Sequence, residues 1–122
     1  MDVKPKDIVG RTFKHSVNVI LFCKELVKTN REFVLSKQLI RSATSIGANV
    51  REAQNAESKQ DFIHKMGIAQ KEADETVYWL DLISATENIR SELIEPIKQE
   101  SKEILKIIRT IILNTKKNLN PR

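Results

Sequence analysis

The sequence predicts an all-α protein, an antiparallel up-down four-helix bundle, and three observations lead there. Apolar residues recur at three- and four-residue steps through four long stretches. Only three glycines and three prolines interrupt 122 residues, too few turn formers for a sheet architecture. The links between the stretches are short, which sets consecutive helices side by side and antiparallel. A chain of this length forms one domain, residues 1–122 with a short basic C-terminal tail at about 116–122. It buries enough surface to fold without a metal or a disulfide.

The first helix is expected from about Asp7 to Lys28. Val9, Phe13, Val17, Ile20, Cys23 and Val27 form its core stripe. Ile8, Val19, Phe22 and Leu26 fall on a neighbouring stripe, so more than half of the circumference is apolar. One bundle core cannot cover that arc, and apolar surface beyond what a core uses points to self-association.

The second helix begins near Leu35 and runs to about Ala56, with Leu39, Ala43, Ile46, Val50 and Ala53 toward the core. Beside that stripe Gln38, Ser42, Ser45, Asn49 and Glu52 lie within about 80° on a helix of 3.6 residues per turn. Short polar groups of this kind, with Gly47 and Ala48, admit a close neighbouring backbone. They also need hydrogen-bond partners once buried.

Ser58 and Asp61 stand in the spacing of a helix N-cap, the hydroxyl taking an unpaired N–H and the carboxylate favouring the positive helix end. The third helix starts there. Phe62, Met66, Ala69, Ala73, Val77, Leu80 and Ile83 make its core stripe, while Ile68, Glu72, Glu75, Trp79 and Leu82 gather on a second face. A Trp among carboxylates is either a contact surface or a cover for the bundle's own core, and both readings stand. Asn88 to Ser91 forms a turn, and Pro96 suits the first turn of a fourth helix, where its missing N–H is not needed. Ile97, Ile104, Leu105, Ile108, Ile111 and Ile112 follow as core. The helix is expected to end near Lys116, before Asn118, Asn120 and Pro121, leaving Lys116, Lys117 and Arg122 as a basic tail.

Catalytic and cofactor chemistry finds little footing. A di-iron bundle needs Glu-x-x-His on two helices, and Asp61-x-x-His64 is the only near match. Cys23 is the single cysteine and sits on a core face, where a thiol behaves as a small hydrophobe. Gly10, Gly47 and Gly67 are dispersed within helices and make no phosphate loop. The expectation is therefore a protein that is not an enzyme and takes no metal or other cofactor. The N-terminus lacks the apolar stretch of a signal peptide, and the longest apolar run, Val19 to Cys23, cannot span a bilayer. A soluble cytoplasmic protein with no membrane partner is expected.

The net charge is +5, and its distribution says more than its size. Residues 1–60 hold eleven basic and six acidic side chains, residues 61–103 five and ten, and residues 104–122 five and none. Such asymmetry suits a polyanion, and it equally suits docking of one subunit or protein on another. Arg11, Lys14 and Lys28 share the outer side of the first helix, Lys24 and Arg31 sit close by, and Lys116 and Lys117 add to them from the tail. These seven are the candidate phosphate contacts for RNA or DNA, of the sequence-independent kind. No zinc finger, helix-turn-helix or RNA-recognition aromatic pair accompanies them.

Two motifs carry a family resemblance. The first is Gln38, Arg41, Ser42, Thr44, Ser45, Ile46, Gly47, Ala48, Asn49, Glu52 and Ala53 in the second helix. The other opens with Ser58, Asp61, Phe62 and Lys65 and continues through Ile68, Ala69, Lys71, Glu72, Glu75, Tyr78, Trp79 and Leu80. In this spacing they resemble a bacterial four-helix-bundle family of proteins encoded by intervening sequences of large-subunit ribosomal RNA genes. A more distant relative is the accessory variability determinant of diversity-generating retroelements. The resemblance implies a closed homo-oligomeric ring of five bundles and, from the retroelement relative, nucleic-acid binding. On that view Gln38, Arg41, Ser42, Ser45, Asn49 and Glu52, with Glu72, Glu75 and Trp79, hold subunit or interhelix contacts. The expected function is a noncatalytic nucleic-acid-binding accessory factor, the alternative a protein scaffold with no nucleic-acid role.

Overall fold

The four periodic stretches fold as four α-helices in a computed structural model that describes residues 7–119. They are α1 (Asp7–Asn30), α2 (Val34–Ala53), α3 (Lys59–Thr86) and α4 (Ser91–Leu119), with no strand among the described residues. Contacts between the helices run in opposite directions along each pair. Thr12 faces Gly47 while Cys23 reaches Ser36 across α1 and α2. Arg41 meets Glu75 while Glu52 meets Lys65 across α2 and α3. His15 of α1 meets Ser101 of α4, while Asn30 at the end of α1 reaches Asn88 in the link that leads into α4. The chain is thus an antiparallel four-helix bundle.

In α2 every residue of the expected core stripe, Leu39, Ala43, Ile46, Val50 and Ala53, is buried. The α3 cap also forms, the Ser58 hydroxyl accepting from the Asp61 N–H at 3.0 Å. In α3 the buried set is Met66, Ala69, Ala73, Thr76, Leu80 and Ile83, so Thr76 is in the core while Phe62 and Val77 are half-buried.

The phase of α1 differs from the sequence expectation. Its buried residues are Ile8, Thr12, His15, Val19, Cys23 and Leu26, whereas Phe13 and Val17 of the expected stripe are exposed. The cause is packing against α2, whose Ala43 and Gly47 present a low surface. Small side chains of α1 fit there: a Cβ on Gly47 would lie 3.5 Å from both the Ser16 hydroxyl and the Thr12 carbonyl. The Ser16 hydroxyl also lies 3.3 Å from the Ala43 carbonyl. With Thr12 and Ser16 turned to α2, the Phe13–Val17–Leu21 row faces outward.

The start of α4 differs too. The helix begins at Ser91, so Pro96 lies in its second turn and not its first. Burial of Ile94 against Leu80 and Ile83 accounts for the early start, since this turn closes the core cluster that also holds Val19, Cys23 and Leu39. The other end also extends past the expected stop: Lys116 and Lys117 belong to the last turn of α4. Arg122 lies outside the described residues.

The core is divided. One cluster gathers Ile8, Ile46, Val50, Met66, Ala69 and the isoleucines of α4 from Ile104 onward. The other gathers Val19, Cys23, Leu26, Leu39, Leu80, Ile83 and Ile94. Between them lies a polar waist to which each helix contributes one buried side chain: His15, Ser42, Thr76 and Ser101.

Candidate nucleic-acid interface

The waist is bonded in two pairs, one on each of two seams. Thr76 Oγ1 donates to Ser42 Oγ across 2.9 Å, and Ser42 Oγ donates to the Leu39 carbonyl at 3.2 Å. On the opposite seam the Ser101 hydroxyl donates to the Ile97 carbonyl at 2.8 Å, leaving its oxygen to accept from His15 Nε2–H at 2.7 Å. That assigns the Nε2–H tautomer and leaves His15 Nδ1 buried without a partner. Burial pushes the imidazole down to about 4 against a smaller opposing pull from Glu100, so the ring is neutral at pH 7.

Outside the waist the second-helix motif grips α3 of the same chain. Arg41 Nη1 donates to Glu72 Oε1 at 3.3 Å, its Nη2 pairs with Glu75, and its Nε donates to Gln38 Oε1 at 3.3 Å. Trp79 Nε1–H donates to Glu75 at 3.1 Å, and the Trp79 side chain packs against the core cluster of Leu39, Leu80 and Ile83. Glu52 lies 3.9 Å from Lys65. The Asn49 amide donates within its own helix, to the Ser45 carbonyl at 2.9 Å and to the Ser45 hydroxyl at 3.2 Å. Gln38, Arg41, Ser42, Glu52, Glu72, Glu75 and Trp79 therefore clamp α2 to α3, while Ser45 and Asn49 remain half-buried beside that seam.

The candidate phosphate contacts divide by environment. Lys14, Lys24 and Lys28 are exposed on the outer face of α1, within about 80° of one another on the helix. None has a carboxylate partner among the described residues. They share that face with exposed Phe13, Val17 and Leu21. Arg11 is engaged instead: its Nε and Nη2 donate to the two oxygens of Glu100 at 2.7 and 2.8 Å. That pair raises the guanidinium and holds the Glu100 carboxyl below its ordinary range. Arg31 caps α1 in the left-handed region, φ 56°, with its guanidinium 5.2 Å from the Phe33 ring centroid. Lys116 and Lys117 are exposed at the far end of α4.

Sequence reasoning missed Arg51. Its guanidinium comes from the last turn of α2 to 5.9 Å from the Phe13 ring centroid, adding a cation to the α1 face. No signal within α2 marks it, because the contact depends on the phase of α1. Sequence reasoning also left His15 unassigned, although a His opposite a Ser on a neighbouring helix is a pairing that only packing reveals.

No group of three or more His, Cys, Asp or Glu side chains able to hold a metal occurs among the described residues. No described helix is long and apolar enough to cross a membrane.

A four-helix bundle clamped by an Arg41–Glu72–Glu75–Trp79 network defines the class of protein. The particular family follows from comparison: residues 5–110 match the model of the 23S rRNA-intervening sequence protein family, and the chain belongs to that family. It is also similar to a solved structure from Bacteroides thetaiotaomicron VPI-5482, a protein of unknown function from the S23 ribosomal protein family. The two are 48% identical with a TM-score of 0.83, over 86% of this chain and 97% of that one. No curated protein matches the chain.

Proposed function

We propose that this chain is a noncatalytic cytoplasmic accessory factor that assembles into a ring of five copies and binds RNA or DNA through the outer face of α1. The observation that carries the reading is the row Lys14, Lys24 and Lys28, exposed and without carboxylate partners among the described residues. Unpaired cations on one face supply the counterion-release term of phosphate binding. Arg51 beside Phe13 extends that face, and Lys116 and Lys117 supply a second basic site on α4. The family's description, which ties its members to intervening sequences of 23S rRNA, supports a nucleic-acid partner. The exposed Phe33, Val34 and Leu93, away from that face, support self-association.

The test is fluorescence anisotropy of nuclease-treated protein with short labelled RNA and DNA across a salt series. The expected result is binding that tightens as salt falls and weakens uniformly across sequences in Lys14→Glu, Lys24→Glu and Lys28→Glu. Absence of binding at low salt overturns the nucleic-acid role. It would favour a scaffold for another protein, to which the apolar row on the same face gives a footing.

A further inference from the structure

At one end of the bundle the surface carries both an apolar projection and an apolar recess. The projection is the α1–α2 corner, where Phe33 is 52% and Val34 71% exposed. Arg31 shapes it: the left-handed backbone there turns the chain while the Arg31 N–H still bonds the Val27 carbonyl at 3.1 Å. Its guanidinium over the Phe33 ring makes the corner aromatic and cationic together.

The recess is a groove of about 720 Å³ between α1 and α4, walled by Phe22, Leu26, Ile89 and Ile97. Leu21 and Leu93 form its lips and are 59% and 48% exposed. On its rim Glu25 accepts from the Thr29 hydroxyl at 2.9 Å and has no cationic partner among the described residues. Phe33 is not among the residues that wall the groove of its own chain. Projection and recess sit on adjacent sides of the bundle.

We infer that the Phe33–Val34 corner of one copy seats in the α1–α4 groove of the next, with Arg31 meeting Glu25 of the partner subunit. This rests on the self-association proposed above and names the surfaces that make it. An apolar projection and a complementary recess on one molecule make a head-to-tail contact, in which each copy uses a different patch from its neighbour. Because α1 packs against both α2 and α4, the two patches lie on adjacent sides, and repetition of the contact turns from copy to copy, as a ring requires. Burial of Leu21 and Leu93 removes the apolar lips from water, and the Arg31 and Glu25 charges, each lacking an ion-pair partner among the described residues, neutralise each other.

Native mass spectrometry of the full chain tests this with Phe33→Asp, which spoils the projection, and Leu93→Asp, which spoils the groove. Both positions are solvent-exposed, and far-ultraviolet circular dichroism checks that each variant keeps the wild-type helix content. Wild type is expected to assemble, each variant alone to be monomeric, and their equimolar mixture to give a dimer, since one intact projection and one intact groove remain. Val34→Asp and Leu21→Asp are expected to repeat the pattern. If the single variants assemble as wild type does, or their mixture stays monomeric, the contact is wrong while self-association stands. If wild type is itself monomeric at micromolar concentration, both fall.

Discussion

His15 on α1 donates from Nε2 to the Ser101 hydroxyl on α4 at 2.7 Å, and its other ring nitrogen is buried with no partner. The pair forms one side of the polar waist and Ser42 with Thr76 the other. Two apolar clusters alone would tolerate a slide of one helix along another. A waist in which each buried hydroxyl must find its counterpart penalises every register but one, because a shifted helix leaves polar groups desolvated and unpaired.

The first prediction concerns pH. His15 is held near 4 in the fold against about 6.5 when unfolded. A depressed histidine takes up its proton more readily in the unfolded chain, so its contribution is fully present above about pH 6.5. It is lost progressively as pH falls toward 4, by about 3 kcal/mol in total. Urea unfolding at pH 7, 5.5 and 4 is expected to show this loss in wild type, and the His15→Leu variant is expected to lack that component.

A double-mutant cycle tests the opposite seam. Ser42→Ala and Thr76→Val each remove one hydroxyl from a buried bond, while Thr76 retains the Glu72 carbonyl and Ser42 the Leu39 carbonyl as partners. Each single change is expected to cost about 1 kcal/mol, and the double variant less than the sum. Strict additivity in chemical denaturation would show that the two hydroxyls do not couple.

The Arg41 clamp is more exposed, and its energetic role is correspondingly small. Arg41→Ala is expected to lower stability by about 1 kcal/mol or less, because half-exposed ion pairs are screened by solvent. Trp79 is the chain's single Trp and donates to Glu75. Intrinsic fluorescence therefore reports on this seam, and Glu75→Ala is expected to alter the emission of Trp79 at unchanged helix content.

Cys23 is expected to be inert in the native protein. Burial pushes its thiol up to about 12, and its contact is a 3.6 Å approach to the Ser36 carbonyl. Labelling by a disulfide reagent at pH 8 should proceed only through unfolding, so its rate should rise with urea. Fast labelling in buffer would place Cys23 outside the core.

How much was legible in advance differed by helix. In α2 the apolar residues fill one narrow arc and small polar residues the next, so periodicity alone gives the buried face from Leu39 to Ala53. The Ser58 cap was equally legible, since it is a local bond between residues three apart. In α1 the apolar arc exceeds half the circumference, and several phases satisfy the pattern equally. The candidate site inherited this ambiguity: the lysines were correctly placed outside, but the partners of Arg11 and Arg51, Glu100 and Phe13, were out of reach.

The sequence by itself determined the number of helices, the face that α2 buries, the N-cap of α3 and the uneven spread of charge, because each is written within a single helix or turn. Only the tertiary structure decided that α1 turns Thr12 and His15 inward and Phe13 outward, that α4 starts early enough to put Pro96 in its second turn, and that Arg41 bridges to Glu72 and Glu75. Those outcomes depend on what neighbouring helices present: the low surface at Gly47, the hydroxyl of Ser101 and the core space that Ile94 fills. A helix of wide apolar arc takes its phase from its neighbours, since burial alone scarcely distinguishes one rotation from the next, whereas close approach and hydrogen bonding do.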